Sequence, residues 1–366
     1  MNNQLTVRQV VYTYLFISIS PVLRQIPSAL AMDAGKSGYL SPVWSVLLLI
    51  PLVYAILLLI RSFPGLNLYE VMVQLGGRVL AKLVIFLYML WTLLLLSAKL
   101  NIYALTLQFT LMPKTGNGLF MQVMLILVFY ALYKGGKAVF RFSELSLGPV
   151  FLVIAIFCVC ALAKVRTDYL LPVTVLNLAD TITASRHVLA AGGNIITALF
   201  FADRLEIYLS GRQVKKLWTG AASFIILSLI VTILTFGITG ASLAAKLPFP
   251  FYITVKSISF FNIFERFEVI VTLICMLSDY AAICVMFLVL SRLIRWLFAL
   301  SQERFLFVPL AVVVYYLSFF TSSTQFEHDF LYRNVIVNLN MVFQYFLPMF
   351  FGFICLFKRK NIRKPY

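Results

Sequence analysis

The chain has 366 residues, of which 62% are apolar and only 12% are charged, and its net charge is +17. Soluble proteins use about a quarter of their residues for Asp, Glu, Lys and Arg, so a water-soluble surface is excluded. The composition is that of an integral membrane protein in contact with lipid. The basic residues lie between apolar runs rather than in patches interleaved with aromatics, which argues against nucleic acid as a partner.

Apolar runs separated by charges and by Pro/Gly clusters predict ten membrane spans. Each run approaches or exceeds about 20 residues, the length that a helix needs to cross the hydrocarbon core. The alternating pattern of a transmembrane β-barrel is absent, so we expect an all-α fold. The approximate limits of spans 1 to 10 are 7–34, 39–61, 80–111, 117–135, 139–163, 184–209, 215–243, 264–299, 304–323 and 334–357.

Two halves of five spans are separated by a polar stretch. The predicted organisation is a first five-helix repeat (1–165), an external linker (166–183), a second repeat (184–357) and a basic cytoplasmic tail (358–366). Because five is odd, the second set of spans runs in the opposite sense to the first, which permits an inverted, LeuT-like repeat. Matching breaks open each half, at Ser18-Ile19-Ser20-Pro21 with Pro27 in span 1 and at Gly192-Gly193-Asn194 in span 6.

Three charged residues lie inside predicted spans, Arg24, Lys99 and Asp279. Each costs about 2.5–3.5 kcal/mol at the bilayer centre, so each needs a partner, a ligand or water. One possibility is that they contact a ligand, and the other is that Asp279 neutralises Arg24 or Lys99 and locks helices together. We favour Arg24 as a ligand contact, because irregular backbone at a break lines a cavity and a guanidinium offers a rigid fork of donors to a carboxylate.

The other candidate ligand-binding residues belong to the two breaks or lie close to Lys99. The breaks contribute Ser20, Pro21, Gly192, Gly193, Asn194 and Thr197, which would present backbone groups and a half-helix end to an anionic group. Close packing through small residues is the alternative role for the glycines. Tyr103 lies one helical turn beyond Lys99 and would face the same cavity or simply pack. The cavity is expected between spans 1, 3, 6 and 8.

Catalytic, metal and cofactor sites are not predicted. The five cysteines all lie in apolar runs, and His187 and His328 have no second ligand at metal spacing, so both histidines are interpreted as surface or interfacial residues. Glu327-His328-Asp329 is too weak a signal for acid–base chemistry without a nucleophile. We therefore expect a protein that is not an enzyme.

Three shorter segments are expected at the membrane surface. Residues 63–78 are too polar to span, and their apolar positions 66, 68, 71, 72 and 75 fit one face of a cytoplasmic interfacial helix. A second stretch, 250–264, is expected along the outer surface. The charged run Glu265-Arg266-Phe267-Glu268 is expected to hold the outer start of span 8 in solvated surroundings rather than to bind ligand.

Several motifs are spread in order over residues 5–270. They are Leu5-Thr6-Val7-Arg8-Gln9, Ile26-Pro27-Ser28 with Ala34-Gly35, Phe63-Pro64-Gly65 with Leu68, Glu70 and Leu75-Gly76, Leu111-Met112-Pro113-Lys114-Thr115, Asp168 with Leu170-Leu171-Pro172-Val173, and Glu265-Arg266-Phe267-Glu268. Together these motifs resemble those of the spore germination receptor B subunits, also called endospore germination permeases. This family belongs to the amino acid–polyamine–organocation transporter superfamily.

The resemblance implies a ten-span inverted repeat and a nutrient-binding role in the inner membrane of a dormant spore. It also implies a larger A subunit and a C-subunit lipoprotein as partners. The chain departs from the family at Ser18-Ile19-Ser20-Pro21, where a Gly-x-Gly-like opening is common, and at Asn194, where an acidic residue is common. The ligand is expected to be a small polar nutrient such as an amino acid. The alternative function is secondary transport of amino acids or related solutes.

The distribution of basic residues predicts that both termini are cytoplasmic. With the N-terminus inside, 19 of the 30 Lys and Arg residues lie in inner segments and nine in outer ones, as the positive-inside rule requires. A reporter fused after Tyr366 should therefore be inaccessible from outside intact cells. Labelling of that reporter by an impermeant reagent contradicts the prediction.

Overall fold

The computed structural model describes residues 4–171, 178–205, 210–257 and 267–362. In these ranges the regular structure is helical, apart from one isolated backbone bridge between Leu5 and Leu205. The predicted all-α fold is therefore confirmed. We call the side of the molecule that carries the N-terminus the inner side, following the topology predicted from the basic residues.

The first half contains five spans, two of them interrupted. Span 1 consists of Val7–Arg24 and Ile26–Ala34, and span 2 of Ser41–Trp44 and Val46–Ser62. The remaining spans of this half are single helices: span 3 is Arg78–Thr110, span 4 is Asn117–Lys134 and span 5 is Gly136–Leu162.

The second half repeats this plan with a broken helix at its start. Span 6 consists of Leu178–Gly192, a 3-10 turn Gly193–Ile196 and Thr197–Phe200. Spans 7, 8 and 9 are Gly211–Thr239, Phe267–Phe298 and Phe307–Thr321. Span 10 begins at Gln325, earlier than expected, because the Thr324 side chain caps its first turn, and it runs to Ile362.

Eight helical segments of the described chain are long and apolar enough to cross a membrane. One of them, Ile26–Ser62, joins the second part of span 1 to span 2, and the others correspond to spans 3, 4, 5, 7, 8, 9 and 10. The first part of span 1 and span 6 are not among these eight segments. The ten-span architecture thus consists of the eight segments together with the first part of span 1 and the broken helix of span 6.

The break in span 1 lies later than the sequence predicts. The helix continues through Ser18, Ser20 and Pro21, and only Gln25 separates its two parts. Pro27 explains this position, because it has no amide hydrogen to donate to the carbonyl four residues earlier. In span 6 the break is where the glycines predict it, as a tightened 3-10 turn rather than an unwound loop.

An amphipathic helix, Leu68–Gly76, follows span 2 as expected. Its N-terminus is closed by reciprocal hydrogen bonds between Asn67 and Glu70. The predicted apolar face is buried, with Leu68, Val71, Met72 and Leu75 all below 9% exposure. This face packs against protein, mainly span 3 and the end of span 10.

On the outer side, a short helix Pro250–Lys256 lies in the second predicted surface stretch. Residues 258–264, and with them Glu265 and Arg266, lie outside the described residues. Glu268 stands in the first turn of span 8 and is 9% exposed, so its predicted solvation is wrong.

Spans 1, 6 and 8 form the centre of the molecule. Every residue from Thr13 to Ala31 is buried, whereas most side chains of span 9 are partly or fully exposed and face lipid. Spans 1 and 7 approach closely at Gly220, where a Cβ atom would lie 2.5 Å from Cγ1 of Val11. Since a β-branched valine has little freedom to move aside, only glycine fits there.

We expect Gly220→Ala to destabilise the protein by about 1–3 kcal/mol through overpacking between spans 1 and 7. Gly148→Ala is the matched control, because Gly148 is also helical but has no atom within 4 Å of its added Cβ. Alanine should be neutral or stabilising there, since it forms helices better than glycine. Thermal unfolding of both purified variants measures the difference, and equal melting temperatures contradict it.

Candidate functional site

The three intramembrane charges meet in one cluster. The Arg24 guanidinium contacts both oxygens of Asp279, at 2.9 Å from Oδ2 and 3.5 Å from Oδ1. Lys99 Nζ lies 3.2 Å from Oδ1 of the same carboxylate. The Arg24 and Asp279 side chains are 2% and 1% exposed, and that of Lys99 is 13% exposed. Two cations therefore share one buried carboxylate.

Neighbouring polar groups hold this cluster in place. Arg24 Nη1 also donates to Oγ1 of Thr106, at 2.8 Å, which ties span 1 to span 3. On span 8, Ser278 precedes Asp279, and its hydroxyl donates to the Phe16 carbonyl (2.8 Å) while accepting from the Ser20 amide (3.0 Å). Two successive residues of span 8 thus fix span 1 on both sides of Pro21.

A cavity of about 60 Å³ lies beside the charge cluster, with room for a few water molecules. It is enclosed by spans 1, 3, 6, 8 and 10. Ten of its sixteen lining residues are apolar, including Ile17, Leu95, Ile102 and Met286. The polar lining residues are Gln25, Lys99, Asn194, His328, Tyr332 and Asn340. Within the described chain, none of the lining residues carries a carboxylate.

Of the residues predicted from sequence, Pro21, Lys99 and Asn194 line this cavity. Arg24 and Asp279 do not line it in the described chain; they lie behind Lys99. Ser20 contributes its backbone amide to Ser278. Tyr103 and Thr197 are buried, at 5% and 8% exposure, outside the lining. The prediction that each of these residues contacts ligand stays a prediction.

The glycines of span 6 permit close packing. A Cβ on Gly192 would lie 2.9 Å from Cε1 of Phe224, and one on Gly193 would lie 2.1 Å from Oε1 of Gln344. Asn194 connects the break to both sides, since its Nδ2 donates to Ser18 Oγ and its Oδ1 accepts from Gln344 Nε2, each at 3.4 Å. The small residues therefore bring span 6 against spans 7 and 10.

The sequence did not indicate the contribution of span 10 to the cavity. His328 was expected at the surface, yet it is 1% exposed, and its Nε2 lies 3.3 Å from Nε2 of Gln25. Asn340 Oδ1 accepts from Trp91 Nε1 at 3.0 Å. A usable signal was present, because the amides Asn340 and Gln344 are one helical turn apart in an apolar span.

The outer side of the bundle is closed by a second cluster, centred on Asp33 of span 1. Its carboxylate contacts His187 (2.7 Å) and Arg186 (3.0 Å) of span 6, and also Arg333 of span 10. His187 was expected to be a surface or interfacial residue, but it is fully buried. Spans 1, 6 and 10 are joined here above the cavity.

The inner side is closed by Arg292 of span 8, which is 1% exposed. It binds Asp203 through two hydrogen bonds of 2.9 and 3.1 Å and donates to the Phe200 carbonyl at the end of span 6. Its guanidinium also stacks over the ring of Phe201, at 4.7 Å. Ion pairs thus connect the spans at both ends of the bundle.

Among the described residues, no group of three His, Cys, Asp or Glu side chains is arranged to hold a metal ion. The polar groups that line the cavity are a cation, amides, an imidazole and a phenol hydroxyl, and all of these can donate hydrogen bonds to an organic ligand with acceptor groups.

The fold is that of LeuT-like membrane transporters of known structure. Mhp1, a transporter of the nucleobase–cation symport-1 family in a closed conformation with bromovinylhydantoin bound, matches with a TM-score of 0.61. The match covers 93% of this chain and 75% of Mhp1, at 11% identity. Two structures of a manganese transporter of Eremococcus coleocola match with TM-scores of 0.55 and 0.53. Each has 14% identity over 93% of this chain and 78% of the transporter.

The chain belongs to the spore germination protein family, whose model matches residues 4–326. The family expected from the sequence motifs is therefore confirmed, and the structural neighbours agree with the expected superfamily. No curated protein sequence matches the chain significantly.

We expect Asp279→Asn to lower protein accumulation more than Arg24→Met. The first change leaves Arg24 and Lys99 without a counter-charge, whereas the second leaves a balanced Lys99–Asp279 pair. An uncompensated buried charge costs about 3–5 kcal/mol. Immunoblots of membrane fractions measure accumulation, with Asp168→Asn as the control at an exposed carboxylate outside the spans. If Asp279→Asn and Arg24→Met lower protein accumulation equally, the explanation by charge balance is contradicted.

Proposed function

We propose that the protein is the membrane subunit of a nutrient receptor for spore germination and that it binds a small carboxylate-bearing nutrient beside Lys99. The observation that carries the proposal is the net charge of the buried cluster formed by Arg24, Lys99 and Asp279. With both cations protonated, Arg24, Lys99 and Asp279 have a net charge of +1, and Lys99 is the member that lines the cavity. A ligand carboxylate would balance that charge.

The rest of the lining supports a small amphiphilic ligand. Gln25, Asn194 and Asn340 supply amide groups, and the apolar side chains would contact a short aliphatic part. The cavity volume allows only a small molecule without rearrangement. An amino acid has this combination of carboxylate, polar group and short side chain. In this proposal Arg24 and Asp279 orient Lys99, and the glycines of span 6 set the shape of the cavity.

Signalling is proposed to pass to the A and C subunits of the germination receptor in the inner spore membrane. A ligand that binds one arrangement of the helix bundle more tightly shifts the population towards it. The support is the family, together with ion-pair clusters that join different spans at both ends of the bundle. The surrounding lipid is the other partner, since the exposed aromatic and aliphatic residues of span 9 face it.

We expect Lys99→Met to raise the nutrient concentration needed for half-maximal germination by about tenfold or more, since a hydrogen bond to a charged group contributes about 1.5–3 kcal/mol. The protein should still accumulate, because the Arg24–Asp279 pair remains balanced. Lys82→Met is the matched control, an exposed lysine of the same span. Spores that carry the partner subunits and each variant are titrated with the amino acid that triggers the wild type.

Unchanged sensitivity in Lys99→Met spores, with normal protein levels, overturns the assignment of Lys99.

Solute uptake into vesicles that contain this chain alone separates sensing from secondary transport. Sustained accumulation of the nutrient against its gradient supports transport, and binding without flux supports the receptor.

A further inference from the structure

Span 10 differs from the other spans in its backbone. Two π-helical turns, Tyr332–Ile336 and Met341–Phe346, interrupt its α-helix. Such turns are rare and are frequently found at functional sites. The residues of span 10 that line the cavity, His328, Tyr332, Ile336 and Asn340, are spaced four apart. In an α-helix of 3.6 residues per turn this spacing drifts by about 40° at each step, so the wider first π turn keeps them on one side.

Around the second π turn, span 10 binds the broken part of span 6. Asn340 Nδ2 donates to the Ala190 carbonyl at 3.3 Å, and Tyr345 Oη donates to the Leu189 carbonyl at 2.8 Å. Gln344 Nε2 donates to Asn194 Oδ1 at 3.4 Å. The last carbonyls of an α-helix have no amide partner within the helix. The side chains of Asn340 and Tyr345 supply hydrogen-bond donors to two of these carbonyls. The break therefore depends on span 10 for its position.

Span 3 fixes the same segment from the opposite direction. The Tyr88 hydroxyl donates to the Phe343 carbonyl at 2.8 Å, inside the second π turn. Trp91 donates to Asn340, and its ring stacks on Phe343 with the centroids 5.4 Å apart. Because tryptophan can only donate, the Asn340 oxygen must face Trp91 and its nitrogen must face Ala190. The amide is thus oriented by both neighbours.

Towards the inner side, span 10 continues to the amphipathic helix Leu68–Gly76. It crosses span 2 closely at Gly352, where a Cβ would lie 2.9 Å from Cβ of Ala55. One and a half turns later, Lys358 Nζ donates to the Leu75 carbonyl at 2.8 Å. A lysine bound to a C-terminal carbonyl stabilises the last turn of a helix. One helix therefore connects the cavity lining to the end of the amphipathic helix.

We propose that span 10 transmits the state of the cavity to the amphipathic helix, with Asn340 and Gln344 as positioning residues at the break of span 6. A change at the break shifts the second π turn, and the rigid inner end of span 10 carries that shift to Lys358 and Leu75. The inference rests on the proposed function in one respect only, which is that nutrient binding starts the movement. The connection itself consists of contacts within the chain, and it is tested without nutrient.

The test is amide hydrogen–deuterium exchange on the full chain in lipid nanodiscs without nutrient. We expect Asn340→Leu to speed exchange of the amides of residues 71–77 by about fivefold. An effect of this size corresponds to the loss of one hydrogen bond, here the bond by which Asn340 holds span 10 in position. Asn338→Leu is the matched control, an exposed asparagine of the same span whose side chain donates to the Asn334 carbonyl of its own helix. It should leave that exchange unchanged.

A second arm uses Lys358→Ala, which removes the contact with Leu75. If span 10 is the connection, Asn340→Leu should have no further effect on residues 71–77 in that background. The proposal is overturned if the two effects simply add, if Asn340→Leu leaves residues 71–77 unchanged, or if exchange rises equally in span 9. Should Asn340→Leu fail to accumulate, Gln344→Leu is measured with the same expectations. Loss of nutrient binding alone changes none of these outcomes.

Discussion

The pairing of two buried cations with one buried carboxylate is the interaction on which the centre of the molecule depends. Charges in a low-dielectric interior are stable only when they are compensated. Asp279 contacts Arg24 of span 1 and Lys99 of span 3 from span 8, so the three spans cannot separate without exposing a charge to lipid. Of the two cations, Lys99 is the one that lines the cavity, where the proposed ligand would bind.

The broken spans are held by side chains from their neighbours rather than by free backbone. Ser278 bonds to the backbone of span 1, while Asn340 and Tyr345 bond to the last carbonyls of the first part of span 6. At the break of span 6, two backbone carbonyls thereby have side-chain partners, as the membrane interior requires. The cavity is lined by residues of five spans, so its shape depends on such contacts between spans.

Much of the fold was predictable because lipid allows few choices. Hydropathy gave ten spans, and the polar residues Arg24, Lys99 and Asp279 stood out against an apolar background. The sequence left open whether these residues contact a ligand or one another, because it does not show how each helix is rotated about its axis. His328 and Asp33 were missed for a related reason, since both lie near span ends, where charges are normally solvated. The π turns of span 10 have no sequence signature.

The most direct measurement is a structure of the protein in lipid with the nutrient to which spores respond. The account predicts density for the nutrient in the cavity, with its carboxylate within hydrogen-bond distance of Lys99 Nζ and with the Arg24–Asp279 pair intact. A carboxylate bound to Arg24 after that pair has opened would contradict the assignment of Lys99 and support the sequence-based prediction for Arg24. A nutrient bound outside the five spans would contradict the site itself.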